Sequence, residues 1–176
     1  MKILLVAVGS AGDVHPFVGL GLVLRERGHD VTLITSGYFE RLARQVGLDF
    51  APFASDEEYR SMIQDPRVFS RLRGFAAITR LGILPSLAPI YQAVCQHYEP
   101  GRTVVVASTL GLGARIAQEK LGLPLVSVHL SPAILRSDYQ SPILPALFMP
   151  DWLPRPLNRF QWWLADATII RRVLER

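Results

Sequence analysis

The chain has 176 residues, 49% hydrophobic and 19% charged, a composition that suits one domain with a sizeable core and excludes a disordered or fibrous chain. Cys95 is the only cysteine, so an intrachain disulfide framework and a cysteine zinc site are excluded and a reducing compartment is the simplest reading. The formal net charge is +4, but the basic runs at 67–80 (RVFSRLRGFAAITR) and 169–176 (IIRRVLER) are too sparse for a nucleic-acid stripe; an anionic ligand or an acidic membrane surface suits them better.

KILLVAV (2–8) is apolar throughout, the pattern of a strand buried on both faces of a parallel sheet. It is too short, and too weakly charged in front, for a signal peptide. Pro16 suits the first turn of a helix over 15–27, where its missing N–H costs nothing, and Gly28 is the natural stop. A second strand is predicted at 30–35, a helix at 38–47 and a third strand at 48–53. Ser55 and Glu58 form a capping box that opens a short helix ending before Asp65-Pro66. Residues 67–98 read as mostly helical, with breaks at Gly82, Pro85 and Pro89. A strand at 103–108, a helix at 112–122 and a strand at 123–130 follow. The Pro-rich segment 141–156 reads as an ordered irregular loop, and 157–176 as helical. In that last helix Trp162 and Trp163 are neighbours, so only one can face the packing side. No uninterrupted run reaches about 18 apolar residues, so no transmembrane helix is expected.

Strands alternating with helices imply an α/β fold: a Rossmann-like, doubly wound parallel sheet with helices on both faces. Ligands in such sheets bind at the carboxyl ends of the strands. The loops to inspect are therefore 9–15, 36–37, 54–55, 108–111 and 131–145.

The turn after the first strand, GSAGDVHP (9–16), is the most informative stretch. Its glycines at 9 and 12 permit unusual backbone or a close approach, and the helix start beyond them favours an anion. It lacks the Lys of a phosphate loop and the third Gly of a dinucleotide loop, so neither P-loop chemistry nor a tightly held dinucleotide is expected. Asp13 reads either as the helix N-cap or as a catalytic carboxylate. His15 reads either as a surface imidazole bonded to backbone or water, or as an alternative base or acceptor contact.

The stretch 2–35 resembles the N-terminal domain of family 1 glycosyltransferases of the GT-B fold, in the bacterial branch that modifies sterols, macrolides, glycopeptides and lipids. The resemblance is carried by Gly9, Ser10, Gly12, Asp13, Val14 and Pro16, then by Arg27, Gly28, His29, Asp30, Val31, Thr32 and Leu33. VVVASTLGLGARIAQEKLGLPLVSV (104–128) resembles that family's strand–helix–strand unit. With DEEYRSMIQDPRVF (56–69) and LSPAIL (130–135) the sequence looks closest to the rhamnosyltransferases of rhamnolipid synthesis, which glycosylate a hydroxyalkanoyl lipid.

This resemblance implies the N-terminal, acceptor-binding half of an inverting hexosyltransferase, with residues 1–176 as one domain. The implied substrates are a nucleoside-diphosphate sugar and a lipid or other hydrophobic acceptor, with no cofactor and no metal. Asp13 stands where much of the family has a His general base, and Ser108 stands where that His has its partnering Asp. The two departures agree, because an Asp base has no tautomer to fix. Ser10, Ala11 and Gly12 are the expected diphosphate and sugar contacts. The acceptor pocket is expected from Phe69, Phe75, Ile78 and Leu84, with Ile63, Leu81 and Ile83 nearby, and from His129, Ser131, Phe148 and Trp152.

The family's second domain, which binds most of the nucleotide-sugar, has no counterpart in this sequence. The chain therefore reads as part of a longer enzyme, or as one half of a split enzyme whose partner is supplied in trans. A non-catalytic module for nucleotides or apolar ligands is the third reading. A cytoplasmic location is expected, with contact to the inner membrane from its periphery as a further option.

Overall fold

β1 (Lys2–Val6), β2 (Asp30–Ser36), β3 (Asp49–Ala54), β4 (Thr103–Ser108) and β5 (Leu125–Val128) pair in parallel, in the order β3-β2-β1-β4-β5. The structure is a computed structural model and describes residues 1–70, 74–132, 135, 137, 139 and 154–167. Its helices are α1 (Ala11–Glu26), α2 (Glu40–Gln45), α3 (Asp56–Gln64), α4 (Gly74–Ile78), α5 (Leu84–His97), α6 (Leu112–Leu121) and α7 (Arg155–Ala165). The chain leaves β1 toward β2 on one side and returns at β4 on the other, so the strand order reverses between β1 and β4.

The central strands β1, β2 and β4 are buried on both faces, as the unbroken apolar runs predict, whereas the edge strand β5 is not. Ile3, Leu5, Ala7, Leu33 and Val106 meet Val14, Phe17 and Val18 of α1, together with Phe39, Ala43 and Tyr59. On the opposite face Leu4, Val6, Ile34, Val105 and Ala107 meet Ile90, Ala93 and Val94 of α5 and Ala114 and Ala117 of α6. α5 and α6 approach closely where Gly113 lies against the Leu87 carbonyl and Ile90, a place with no room for a Cβ. Each fully buried Leu, Ile or Phe contributes about 1.5–3 kcal/mol of hydrophobic stabilisation. The two layers thus hold the carboxyl edge of the sheet rigid.

Gly28, the predicted helix stop, stands at positive φ, as do Gly47 and Gly122 at the ends of the predicted helices 38–47 and 112–122. Other boundaries differ from the sequence reading, each for a physical reason. α1 begins at Ala11 rather than 15, because Ser10 takes the extended N-cap backbone and Asp13 reaches back to it. Pro16 consequently sits inside α1, and the Gly12 carbonyl loses its usual helical donor. The helix predicted at 38–47 divides into a 3-10 turn, Gly37–Phe39, and α2. Gly82, Pro85 and Pro89 do not break the 74–97 helix. A π-type stretch, Thr79–Ile83, joins α4 to α5, with the Leu84 N–H donating to the Thr79 carbonyl. The wider turn places Pro85 in the first turn of α5, where a missing N–H is tolerated. β5 has four residues rather than the eight expected, and α7 begins at Arg155.

Candidate functional site

The site is assembled at the carboxyl ends of β1, β2 and β3. Gly9 follows β1 with φ +136°, backbone that L side chains rarely adopt. A Cβ at this position would collide with the Asp13 carboxylate. Asp13 Oδ2 accepts from the Ser10 N–H at 2.8 Å and from the Ser10 hydroxyl at 3.1 Å. No hydrogen bond from the described residues reaches Oδ1. The half-buried carboxylate is thus held by one oxygen and presents the other.

This geometry revises the expected roles in the turn. Ser10, not Asp13, is the N-cap, and Asp13 is the third residue of α1. The Ser10 N–H and hydroxyl are engaged with Asp13, so they are not available to a phosphate in this arrangement. Ala11 and Gly12 are exposed in the first turn of α1, where backbone N–H groups have no helical acceptor. His15 is exposed on the outer surface of the same helix, one turn beyond Ala11.

Ser108 ends β4 and is buried; its hydroxyl accepts from the Val8 N–H at 3.1 Å. It therefore braces the carboxyl end of β1 just ahead of Gly9. Thr109 and His129 share a hydrogen bond at 2.9 Å that ties the loop after β4 to the end of β5. Ser131 is exposed just beyond. Neither His129 nor Ser131 lines the pocket described next.

That pocket has a volume of about 630 Å³ and a mostly apolar lining. Val8 and Gly9 form its floor with Thr35, Ser36, Phe53 and Ala54 at the ends of β2 and β3. Tyr59 and Met62 of α3 wall one side, and Ile78, Leu81, Ile83 and Pro85 wall the other. It touches four of the five loops singled out in the sequence, at Gly9, Ser36, Ala54 and Leu110. Ile78 lines it as expected, with Leu81 and Ile83. Phe69, Phe75 and Leu84 do not: they are exposed outside the cavity, at 76%, 50% and 44%. Ile63 instead packs against the core beneath α1. Phe148 and Trp152 lie outside the described residues. Thr35, Ser61 and Tyr59 are pocket residues that the sequence reading missed. The signal was available, because the Ser55–Glu58 capping box starts α3 directly at the end of β3.

Two of the carboxylates lining the pocket, Glu58 and Asp65, are paired. The backbone N–H and hydroxyl of Ser55 hold the Glu58 carboxyl below its usual range. Hydrogen bonds from the Arg67 side chain and backbone draw Asp65 down to about 2. Burial pushes the Tyr59 phenol up, helped by nearby Tyr38 and by the Asp13 carboxylate. Tyr59 therefore stays a protonated donor in the pocket wall, within electrostatic reach of Asp13. Its ring is fixed against Tyr38 and Phe39, with centroids 4.8 and 5.4 Å away. Among the described residues no group of three His, Cys, Asp or Glu is placed to hold a metal ion.

Residues 3–140 match the glycosyltransferase family 28 N-terminal domain. The chain belongs to this family. It is 30% identical over 167 residues to an uncharacterised glycosyltransferase of Mycobacterium leprae, covering 90% of this chain and 36% of that protein. It is 32% identical over 135 residues to a sterol 3-beta-glucosyltransferase of Yarrowia lipolytica, covering 75% and 9%. Among solved structures, the glycosyltransferase VinC in complex with DTDP superposes with a TM-score of 0.57 at 15% identity, covering 96% of this chain and 39% of that one. The spinosyn rhamnosyltransferase SpnG complexed with spinosyn aglycone gives 0.53 at 20% identity, covering 76% and 36%. The family 28 domain thus has the GT-B glycosyltransferase fold expected from the resemblance, and the relatives include a sterol enzyme of the kind it named. The chain spans well under half the length of each of these proteins.

Proposed function

We propose that this domain binds the acceptor and supplies the base for an inverting hexosyl transfer, in which a lipid or other hydrophobic hydroxyl receives sugar from a nucleoside diphosphate. The observation that carries this reading is the apolar pocket opening at Gly9, with the Asp13 carboxylate beside it. An apolar acceptor fills the pocket and brings its hydroxyl to Asp13 Oδ1. The acceptor oxygen bonds to the sugar C1 as the bond from C1 to the diphosphate oxygen breaks. The hydroxyl proton passes to Asp13, and the nucleoside diphosphate leaves with the bonding electron pair. The exposed N–H groups of Ala11 and Gly12 stabilise charge on its phosphates, so no strong general acid is required. Tyr59 donates to the acceptor oxygen and orients it.

The sterol and rhamnosyl chemistry named for the relatives and neighbours supports a hydrophobic acceptor and leaves rhamnose within reach as the sugar. The larger part of the donor site comes from chain beyond this domain, in cis or in trans. The test is nucleoside diphosphate release by the longer protein with sterol, hydroxyalkanoyl lipid and macrolide acceptors. Release that depends on one of them, and that falls with Asp13→Asn, is the expected result. Donor hydrolysis at one rate with and without every acceptor contradicts the reading.

A further inference from the structure

The pocket is not lined by hydrocarbon alone. Thr35 lies near the carboxyl end of β2 and is only 1% exposed. It follows Val31 and Leu33 at a spacing of two, so its side chain is on the sheet face that carries α1 and Tyr59. The Ala7 N–H donates to the Ile34 carbonyl at 3.0 Å, which sets Thr35 beside Ala7, two residues before Gly9. The neighbouring hydroxyls are committed: Ser36 accepts from the Tyr38 N–H and Ser108 from the Val8 N–H. No hydrogen bond from the described residues reaches the Thr35 hydroxyl, and the cavity that Thr35 lines is the pocket. The opposite wall of that cavity belongs to the helical stretch Gly74–His97, which is long and apolar enough to cross a membrane by length and composition. Ile90, Ala93 and Val94 pack this stretch against the sheet, so the wall is fixed to the domain. An occupant made of hydrocarbon would strip water from the Thr35 hydroxyl and leave it unpaired, which weakens binding.

The charge on the lining says which polar group can meet that hydroxyl. Glu57, Glu58 and Asp65 line the pocket against a single cation, Arg67. Arg67 is engaged with Asp65, their side chains 2.6 Å apart. Among the described residues no cation pairs with Glu57 or Glu58, and the Asp13 carboxylate adds to the negative side. A carboxylate carried by the acceptor would be repelled here, whereas an uncharged hydroxyl, ether or carbonyl oxygen would not. We infer that Thr35 is a specificity-determining residue: its hydroxyl pairs with a second, uncharged oxygen of the acceptor. The preferred acceptor is then an apolar molecule with at least two neutral oxygens, rather than a hydrocarbon with one hydroxyl or a hydroxy-acid anion. This inference rests on the pocket being the acceptor site, as proposed above.

The test is equilibrium binding of three matched probes to the 176-residue chain by titration calorimetry at neutral pH: 1-decanol, 1,5-decanediol and 5-hydroxydecanoate. The diol is expected to bind about five-fold or more tighter than 1-decanol, the gain of one hydrogen bond. The anion is expected to bind at least about five-fold more weakly than the diol, with the gap narrowing as salt rises. Thr35→Val keeps the shape and the β-branch but removes the hydroxyl. It should bind 1-decanol at least as tightly as the wild type and hold the diol within about two-fold of it. Thr35→Ser should keep the diol preference, and Thr35→Ala gives the same readout as valine if the valine variant unfolds. A merely structural Thr35 would instead weaken both alcohols by one factor. Glu57→Gln should narrow the gap to the anion and leave the ratio of the two alcohols unchanged. Three results would overturn the inference and leave the acceptor reading standing: equal binding of diol and 1-decanol, a diol preference that survives loss of the hydroxyl, or binding of 5-hydroxydecanoate as tight as that of the diol. No binding of any of the three probes would remove the pocket as an acceptor site, and both readings would fall.

Discussion

The carboxylate of Asp13 occupies the space in which a Cβ on residue 9 would stand. The glycine and the acid are therefore one device. Gly9 adopts φ +136° and leaves a gap; Asp13 fills it and is fixed there by two hydrogen bonds from Ser10. Gly9→Ala is expected to destabilise the domain by about 1–3 kcal/mol through backbone strain. It should also expel the carboxylate from its place. Denaturant unfolding measures the first effect. In the longer protein, turnover measured well below the unfolding transition measures the second, and it should fall at least about ten-fold. An alanine variant with wild-type stability and turnover would show that the gap has no role.

Ser108 is expected to act on stability rather than on chemistry. Its hydroxyl is the acceptor for a buried N–H, that of Val8, at the end of the central strand. Ser108→Ala leaves that N–H unsatisfied, which costs about 1–3 kcal/mol. Ser108→Thr keeps the hydroxyl and should recover most of the loss. In the longer protein, kcat at a temperature where both forms are folded should change less than three-fold. A large loss of kcat with intact stability would instead give Ser108 a part in the chemistry.

Much of this was legible in the sequence because it rests on local rules. An apolar run without alternation specifies a buried parallel strand, and glycines after the helices specify their ends. The Ser55–Glu58 box fixes where α3 begins, and α3 carries Tyr59 to the pocket. What was not legible depends on competition between neighbours. Pro16 pointed to a helix start at 15, but Ser10 and Asp13 together stabilise an earlier one, and a proline in the second turn removes only one bond. Gly82, Pro85 and Pro89 each read as breaks, yet a π-type stretch absorbs the mismatch and the helix continues. Phe69, Phe75 and Leu84 read as pocket walls because they are apolar and near the right loops. Periodicity cannot say which side of an irregular helix meets the cavity, and here Ile78, Leu81 and Ile83 do. The tryptophan pair behaves as its adjacency requires. Trp163 is exposed, while Trp162 is half-buried and donates to the Ser137 carbonyl.

Acid should destabilise the fold through three paired carboxylates. Asp65 is held at about 2 by Arg67, Glu58 is lowered by Ser55, and Glu99 is lowered chiefly by its hydrogen bond from Lys2. A carboxyl whose folded value is depressed stabilises the native state above its unfolded value, about 3.9–4.3, and loses that contribution as pH falls through the folded one. The thermal midpoint should therefore decline between about pH 5 and pH 2. Two of the three, Asp65–Arg67 and Glu99–Lys2, are ion pairs, so their share of the decline should shrink in high salt. Glu58→Gln and Glu99→Gln should each flatten the acid limb while lowering the midpoint near neutrality. A midpoint independent of pH over this range would show that the pairs contribute nothing.

The 176-residue chain by itself is expected to show no sugar transfer. It contains the apolar pocket and the candidate base, but it spans 39% of VinC, a structural neighbour matched over 96% of this chain. Adding the remainder of the protein as a separate chain should restore activity only if the two halves associate. The measurement is nucleoside diphosphate release that requires both donor and acceptor. Such release by the purified chain alone would mean that a complete donor site exists within these residues.

The decisive substitution is Asp13→Asn in the longer protein. Asn is nearly isosteric, so it fits the gap beside Gly9, and its carbonyl oxygen can still accept from the Ser10 N–H. Its structural cost is the loss of a negative charge in the first turn of α1, about 0.3–1 kcal/mol. As a base, however, an amide is useless, and turnover should fall by about 10²–10⁴-fold. KM for the acceptor should change little, because the apolar pocket is untouched. A purely structural Asp13 predicts the same small stability change but near-normal turnover. His15→Gln is the companion measurement. His15 is exposed on the outer face of α1, so removing its imidazole should change stability by less than about 0.5 kcal/mol and turnover by little. If His15→Gln suffered the large loss while Asp13→Asn retained more than about a tenth of wild-type turnover, the base would be His15. The Asp13 carboxylate would then be what its hydrogen bonds already make it, a clamp that closes the Gly9–Ser10 turn.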